Sequence, residues 1–488
     1  MSQSSLKTTS SICPECHNVL PARLFAKDGK VMISKSCPDH GYYEDIYWSD
    51  LEQWERVRKY VAVGDGLENP RTSRSRGCPY DCGICPNHKS QTILSIIDVT
   101  NRCNLKCPIC FANAASAGYV YEPTIDEIYE MIDNLAANKP VSVKALQLSG
   151  GEPTLRDDLP EIVKYAHTAG IHHVEVNTNG IRIAKDPVYL KRLLEADVSS
   201  FYLQFDGVTG EPFKVTRGLD LLSTKLQALE NLRAEGHDSV ILVVTLVRGV
   251  NDHQLGSIIN FAAKNHDLIR CVNVQPVSIT GRIARAKLVD YRITIPDFMQ
   301  LVEEQTNGQI EKRDFYPVPT VVPFARAVGA LKGHRYPEFT MHEHCGMATF
   351  VFVENGKLTP ITRYANIDAF MDSMNEVARL ANSGKSIRAK IKAMESLRHM
   401  KLKVLGPLVN GVVKEGNYEA LGKLMRQIVM IGAMHFMDPY NFDLERAERC
   451  GIHYAVPDGR IIPFCTMNSL HRENVEKRFA KISQPVLT

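Results

Sequence analysis

The sequence predicts an α/β fold in which six parallel strands with outer helices form a partial (β/α)6 barrel. Between residues 93 and 285, short apolar runs typical of buried strands alternate with amphipathic segments typical of helices. The predicted strands are 93–99, 143–148, 173–177, 201–206, 240–246 and 271–276, and the clearest helices are 159–169 and 221–235. Strand–helix alternation of this kind builds a parallel sheet whose carboxyl edge binds ligands.

Composition leaves room for a substantial core and excludes several classes of protein. The chain has 488 residues, of which 44% are hydrophobic and 23% charged, and its net charge is +3. So small a charge argues against a general nucleic-acid binder. The longest apolar stretch, around residues 241–247, is far shorter than the roughly 18 residues of a membrane-spanning helix. We therefore expect a cytoplasmic protein that associates at most peripherally with the inner face of the cell membrane.

The thirteen cysteines fall in groups, which indicates metal binding rather than disulfides. Cys13 and Cys16 form one C-x2-C pair, and Cys37 is followed three residues later by His40. A predicted strand at 31–34 separates them, so the two turns face each other across a hairpin. Turns of this kind hold zinc or a single iron tetrahedrally. Either His40 or a distant cysteine is the fourth ligand.

A second group comprises Cys78, Cys82 and Cys85, with His88 three residues later. It follows a stretch at 64–77 that is rich in Gly, Pro, Ser and Arg, which is typical of a domain junction. Turn residues between closely spaced thiolates let one loop wrap a cubane iron–sulfur cluster. The pattern predicts such a cluster, with a zinc site as the alternative.

The third group lies in a loop directly after the first barrel strand. Cys103, Cys107 and Cys110 have C-x3-C-x2-C spacing, and Phe111 follows. Three thiolates leave one iron of a [4Fe-4S] cluster open to another ligand. The loop resembles the signature of the radical S-adenosylmethionine (SAM) superfamily.

Two later segments also resemble that superfamily. Gly150, Gly151 and Glu152, followed by a proline, match its Gly-Gly-Glu-Pro segment, which holds the amino group of SAM. Arg217 resembles the arginine that pairs with the SAM carboxylate. Polar residues at the carboxyl ends of the strands are further candidate SAM contacts, although such residues often only cap turns. They are Asn177, Gln204, Asp206, Thr245 and Gln275.

Beyond residue 285 the strand–helix rhythm fades and single cysteines appear. Cys345, Cys450 and Cys465, together with Cys271 on the sixth strand, form a candidate ligand set for another cluster, with inert core thiols as the alternative. We divide the chain into an N-terminal metal knuckle (1–62), a linker with auxiliary cluster cysteines (63–92), the barrel (93–285) and a C-terminal auxiliary-cluster and substrate domain (286–488).

Two features of the C-terminal region favour a lipid substrate. Residues 379–426 carry eleven Lys and Arg residues against three Glu, and include a predicted basic amphipathic helix with Lys385, Arg388, Lys392 and Lys403. A second predicted helix, 418–437, is rich in methionine, which suits the lining of an alkyl tunnel. A solvated surface and ordinary core packing are the alternatives.

Taken together, the cysteine groups at 13–40, 78–85, 103–110 and 450–453 resemble those of the archaeal tetraether lipid synthases, over essentially the whole chain. The resemblance implies three [4Fe-4S] clusters, SAM and one mononuclear iron, for which zinc is the alternative. Those sites need fifteen protein ligands, and thirteen cysteines are present. His40 and His88 are the candidates for the other two.

The resemblance also implies a reaction. A 5′-deoxyadenosyl radical would abstract hydrogen from the terminal methyls of isoprenoid tails, and two archaeol-type chains would be joined through a C–C bond. The implied substrate is an anionic dialkyl glycerol lipid, and the implied electron source is a low-potential donor such as ferredoxin. No side-chain acid or base is required, because the cofactor carries the chemistry.

Two alternatives remain at this point. The resemblance also implies a competing reaction, because close relatives of those synthases are described as radical SAM methylases of a hydroxymethylpterin. In that reaction a pterin precursor receives a methyl group from SAM or from a folate-like donor. An electron-transfer or metal-storage protein is the non-enzymatic alternative, and the predicted SAM pocket argues against it.

Overall fold

The computed structural model describes residues 5–354, 356–401, 405 and 428–480. Residues 5–48 form a separate antiparallel sheet of four consecutive strands, β1 (Ser5–Ile12), β2 (Val19–Lys27), β3 (Lys30–Cys37) and β4 (Gly41–Trp48). Side chains alternate between buried and exposed along β2, as expected for a sheet with one face on the core. The β1–β2 and β3–β4 turns follow Ile12 and Cys37, which places the Cys13–Cys16 turn and the Cys37–His40 turn at one end of this sheet.

A 12-stranded sheet holds the rest of the described strands. Its six central members are parallel and neighbour one another in chain order. They are β5 (Leu94–Thr100), β6 (Ala145–Gly150), β7 (His173–Thr178), β8 (Ser200–Gln204), β9 (Val240–Leu246) and β10 (Ile269–Pro276). The predicted partial barrel of six parallel strands is therefore confirmed.

Strands from the C-terminal region continue this sheet on both sides. They are β11 (Tyr316–Pro317), β12 (Gly346–Glu354), β13 (Lys357–Pro360), β14 (Val429–Met434), β15 (Ile452–Ala455) and β16 (Ile461–Pro463). On one side β14 lies parallel to β10, and on the other β15 lies parallel to β5. The barrel wall is thereby extended beyond its six central strands at both edges.

The described residues also form two groups of helices along the chain. The first group is α1 (Leu51–Val57), α2 (Ile125–Ala136), α3 (Leu159–Thr168), α4 (Ile181–Lys185), α5 (Pro187–Glu195), α6 (Gly210–Arg217), α7 (Leu222–Ala234) and α8 (Leu255–Lys264). The second is α9 (Leu288–Tyr291), α10 (Ile295–Gln305), α11 (Val322–Lys332), α12 (Ile367–Asn382), α13 (Ser386–Ser396), α14 (Leu444–Glu448), α15 (Phe464–Thr466) and α16 (Arg472–Arg478). The buried faces of α2, α3, α5, α7 and α8 join the strands in one large hydrophobic core.

The structure departs from the sequence prediction near the C-terminus. Residues 429–434 form β14, whereas the sequence predicted a helix over 418–437. A short apolar run suits a buried strand and a buried helix equally, so periodicity alone did not separate the two. Residues 418–427 of that predicted helix, and Lys403, lie outside the described residues. The predicted basic helix is α13, whose Ile387, Ile391 and Met394 are exposed.

Within the described ranges, no helix is both long enough and apolar enough to cross a membrane.

Candidate active site and metal centres

The C-x3-C-x2-C loop leaves β5 at the carboxyl edge of the barrel. Cys103, Cys107 and Cys110 are half-buried and line a cavity of about 160 Å³. Burial raises the pKa of Cys103 to about 12, and it also raises the pKa of Cys107 against the opposing effect of Arg217. Neutral thiols are therefore favoured without a metal, whereas a bound metal deprotonates coordinating thiols outright. Three converging thiols that line one cavity fit an iron–sulfur cluster with an open iron.

The Gly-Gly-Glu segment packs directly against the start of this loop. The N–H groups of Gly151 and Glu152 donate to the carbonyls of Thr100 and Arg102, at 2.7 and 2.9 Å. A Cβ at Gly151 would meet the Arg102 oxygen at 2.2 Å, and one at Gly150 (φ +126°) would meet the Thr100 oxygen at 2.1 Å. Only glycine permits so close an approach. Both glycines line the cavity.

Glu152 anchors the far side of the same segment. Its fully desolvated carboxyl group, whose pKa is raised by burial, accepts hydrogen bonds from Thr154, Thr178 and the Asn179 N–H. The Thr154 and Thr178 hydroxyls lie 2.6 and 2.8 Å from one carboxyl oxygen, and the Asn179 nitrogen lies 2.7 Å from the other. These bonds tie the ends of β6 and β7 together below the cavity.

Arg217 faces the cavity from the C-terminal end of α6 and is held by Asp206. Its Nε and Nη2 donate to the two Asp206 oxygens at 2.7 and 3.1 Å, and Nη2 also donates to the Thr245 hydroxyl at 2.8 Å. Asp206 is fully buried and accepts a further bond from Thr216 at 2.7 Å. Asp206 lies behind the described cavity wall rather than in it. Its place indicates that it orients the arginine.

The other predicted strand-end residues come together in the cavity wall. Asn177, Gln204, Thr245 and Gln275 all line it, alternating with residues that point into the core. The parallel register of β7, β8, β9 and β10 places their carboxyl ends at one edge, which explains the convergence.

Lys225 was missed by the sequence analysis. It is fully buried on α7, and its Nζ donates to the Gln204 side chain at 2.8 Å and to the Asn179 carbonyl. Desolvation, with a further contribution from Arg217, lowers its pKa to about 7. A lysine on an amphipathic helix normally indicates a solvated face, so no sequence signal distinguished it.

The N-terminal knuckle brings four ligand atoms together. The Cys13, Cys16 and Cys37 sulfurs and a His40 ring nitrogen all lie within 4.8 Å of one another. The Cys16–Cys37 sulfur separation is 3.8 Å, and His40 Nδ1 lies 3.4 Å from Cys37 Sγ. A tetrahedron with Zn–S bonds of about 2.3 Å has edges of about 3.8 Å, so the set fits one tetrahedral ion.

The second cysteine group surrounds a smaller recess. Cys78, Cys82, Cys85 and His88 line it together with Glu448 of α14. The Nε2 atom of His88 lies 2.8 Å from the Cys450 carbonyl oxygen and 3.1 Å from His453 Nε2. Those contacts leave only Nδ1 of His88 for a metal.

Three of the four late cysteines lie near one another, and the fourth lies elsewhere in the barrel. Cys345, Cys450 and Cys465 interact electrostatically, and burial raises the pKa of the last two. Arg446 donates to Cys345 Sγ at 3.4 Å, and the Met437 N–H donates to Cys465 Sγ at 3.3 Å. Cys271 instead lines the barrel interior beside Glu175. The structure therefore does not bring Cys271 together with the other three.

Two family models match separate parts of the chain. The model of the radical SAM superfamily matches residues 97–262. The model of the HMPTM N-terminal zinc ribbon domain matches residues 5–49. The first range contains the cysteine loop and the central strands up to β9. The second contains the four-ligand knuckle.

Related proteins were found at two levels of similarity. The 7,8-dihydro-6-hydroxymethylpterin dimethyltransferase of Methanocaldococcus jannaschii is 48% identical over 489 residues, covering 97% of this chain and 96% of that protein. The GTP 3',8-cyclase of Limosilactobacillus fermentum is 31% identical over 186 residues, covering 37% of this chain and 54% of that protein. A crystal structure of Streptococcus suis SuiB bound to S-adenosylmethionine overlaps with a TM-score of 0.36, at 17% identity, over 45% of this chain and 48% of that one.

These findings correct two expectations from the sequence. The resemblance to the tetraether lipid synthases, with its coupling of lipid tails, is wrong, because the relative that matches nearly the whole chain is a pterin dimethyltransferase. The prediction of an anionic lipid as the substrate is wrong for the same reason. The basic charge of 379–401 and the methionines of β14 gave no information on the substrate, since a solvated helix and a buried strand explain them.

Proposed function

The chain belongs to the family of radical SAM enzymes that contains the 7,8-dihydro-6-hydroxymethylpterin dimethyltransferase of Methanocaldococcus jannaschii, and on that premise we propose that it methylates a reduced hydroxymethylpterin. The observation that carries the proposal is 48% identity along 97% of the chain. The cavity with three cysteines and a Gly-Gly-Glu wall supports the same chemistry.

We infer that Cys103, Cys107 and Cys110 hold a [4Fe-4S] cluster that, when bound and reduced, supplies the electron that cleaves SAM. The chain's own residues position SAM. The backbone of Gly150 and Gly151 would hold its amino group, and Arg217, which Asp206 orients, would pair with its carboxylate. Asn177, Gln204, Thr245 and Gln275 offer hydrogen bonds to the rest of the molecule.

We infer that Cys13, Cys16, Cys37 and His40 bind one zinc ion. The sulfur and nitrogen separations fit a single tetrahedral ion, and the site closes a ribbon remote in sequence from the cysteine loop. Its role is structural, because all four positions are filled by protein ligands.

The remaining cysteines are the proposed ligands of auxiliary clusters. One set is Cys78, Cys82 and Cys85, with His88 as the candidate fourth ligand. The other is Cys345, Cys450 and Cys465, where burial and two hydrogen bonds to sulfur suit thiolates bound to iron. A low-potential donor such as ferredoxin supplies electrons.

The test is a reaction under anaerobic, reducing conditions with the reconstituted protein, 7,8-dihydro-6-hydroxymethylpterin and SAM labelled with ¹³C in its methyl group. We expect a pterin product heavier by one or two methyl groups, together with 5′-deoxyadenosine. The label distinguishes SAM from a folate-like methyl donor. Formation of 5′-deoxyadenosine without any methylated pterin, with and without an added methylene-folate, would refute the proposal.

A further inference from the structure

The barrel interior contains a second, larger cavity below the SAM cavity. Its volume is about 1010 Å³, and its wall is built from residues of the central strands, of β14 and β15, and of the segments that lead into β7, β8 and β9. In closed barrels the interior is ordinarily filled by bulky branched side chains. Here the middle layer instead carries Gln147 on β6, Glu175 on β7, Tyr202 on β8 and Asn273 on β10. A large concave space with a few converging polar groups is typical of a small-molecule site.

The two cavities meet at a shared wall. Gln275, Phe436 and Phe464 line both. The two phenylalanine rings stack with centroids 3.8 Å apart, and Phe111 of the cysteine loop lies edge-on to Phe464 at 5.6 Å. A ligand in the lower cavity therefore lies beside an aromatic wall that leads to the SAM cavity. A flat heteroaromatic ring packs well against such a wall.

Three of the residues that line this cavity carry carboxylates: Glu175 lies on strand β7, whereas Asp197 and Asp238 lie in the segments before β8 and β9. Glu175 is 9% exposed, and its two carboxylate oxygens accept hydrogen bonds from Gln147 Nε2 and His173 Nε2, both at 3.0 Å. On the neighbouring strand β8, the Tyr202 hydroxyl accepts bonds from the Asn273 amide and, at 3.0 Å, from the Gln275 amide. The layer thus combines a carboxylate acceptor with three carboxamides, each of which offers both a donor and an acceptor.

We propose that this barrel cavity is the pterin site and that Glu175 recognises the 2-amino-pyrimidinone edge of the ring, an inference that rests on the proposed function. That edge presents two adjacent N–H donors, from the 2-amino group and from N3, and one carboxylate accepts both. The Gln147 and Asn273 amides face the ring's carbonyl and ring nitrogens. The far end of the ring, with its hydroxymethyl group, then points toward Phe436, Phe464 and the SAM cavity.

The proposal is tested by equilibrium binding of two ligands to the reconstituted protein with SAM present. One ligand is 7,8-dihydro-6-hydroxymethylpterin, and the other is its analogue with a carbonyl in place of the 2-amino group. We expect the native protein to prefer the pterin by about 100-fold or more, since a site built for a donor rejects a ligand that lacks it. The Glu175→Gln variant should lose most of that preference, because an amide offers one acceptor oxygen where the carboxylate offers two.

Glu230→Gln on the exposed face of α7 is the matched control and should bind both ligands as the native protein does. If circular dichroism shows that Glu175→Gln does not fold, the inference is judged on the native protein alone, by its preference for the pterin over the analogue without the 2-amino group. Equal binding of the two ligands by the native protein, or an unchanged preference in a folded Glu175→Gln variant, overturns this inference and leaves the proposed function standing. Absence of pterin binding by the native protein overturns the proposed function and this inference with it.

Discussion

The N-terminal knuckle and the cysteine loop of the barrel both present cysteines for metal, yet they are built in opposite ways. In the knuckle, four ligand atoms lie within 4.8 Å of one another, held by two hairpin turns of a small sheet. In the loop, three thiols are spread around a 160 Å³ cavity whose other walls come from β6 to β10. The knuckle needs only residues 13–40, whereas the loop needs the whole barrel.

This difference indicates which site is structural and which is reactive. Four protein ligands saturate a tetrahedral ion and leave no open position. Three thiols with a glycine-lined cavity beside them leave room for a substrate-like ligand. In the second arrangement, polar side chains such as Glu152 and Arg217 line the cavity although they are largely removed from solvent. Their hydrogen bonds to neighbouring residues offset the free-energy cost of burying them.

Loss of a loop cysteine should have the largest effect. Cys103→Ala, Cys107→Ala or Cys110→Ala is expected to lower 5′-deoxyadenosine formation by at least about 1000-fold, because the cluster can no longer present an open iron to SAM. The measurement is chromatographic detection of 5′-deoxyadenosine from SAM and dithionite. Near-native formation in any of the three variants would remove the loop from the reactive site.

Loss of a knuckle cysteine should instead remove one metal ion. Cys37→Ser takes a ligand from a single-ion site, so bound zinc is expected to fall by about one atom per chain while iron stays constant. Metal analysis by mass spectrometry measures both. A loss of iron of about four atoms per chain would mean that the knuckle carries a cluster, which would break the contrast with the loop.

A change behind the cavity wall should have an intermediate effect. Asp206→Asn keeps the shape of the side chain but removes the charge that holds Arg217, so we expect SAM affinity to fall by about 10-fold to 100-fold. Isothermal titration with SAM measures the change. Asp267→Asn, which breaks an exposed ion pair with Arg233 and lines neither cavity, is the matched control. Unchanged affinity in Asp206→Asn would show that Arg217 needs no orienting partner.

The smallest effect concerns the buried lysine beside the cavity. Because the pKa of Lys225 is about 7 in the folded protein and near 10.4 in the unfolded chain, the unfolded chain binds the extra proton between those values. This residue therefore makes the free energy of unfolding rise with pH across that window, by at most about 1.4 kcal/mol per pH unit. In Lys225→Met that contribution should vanish. Denaturant unfolding from pH 7 to pH 9.5 tests this, and an unchanged slope would mean that Lys225 is charged in the folded state.

Local sequence was enough for features that depend on neighbouring residues. Strand–helix alternation predicted all six central strands to within about two residues, since the pattern arises from each segment's own burial. The cysteine spacings likewise grouped Cys13, Cys16 and Cys37, because both turns are short, but they left His40 and a distant cysteine as alternatives, and the structure places His40 with the three sulfurs. The prediction of a lipid substrate was wrong, because a basic helix is also typical of a solvated surface and methionines are also typical of core packing.

The sequence by itself determined the class of fold, and its cysteine spacings predicted the loop proposed to hold the SAM cluster and the metal knuckle. Only the tertiary structure decided which residues share a cavity. It placed Asp206 behind Arg217, separated Cys271 from the other late cysteines, and buried Lys225 beside Gln204. The physical reason is that these relations join residues from different strands and helices. Side-chain alternation sets which residues face the barrel interior, but the register between strands sets which of them meet.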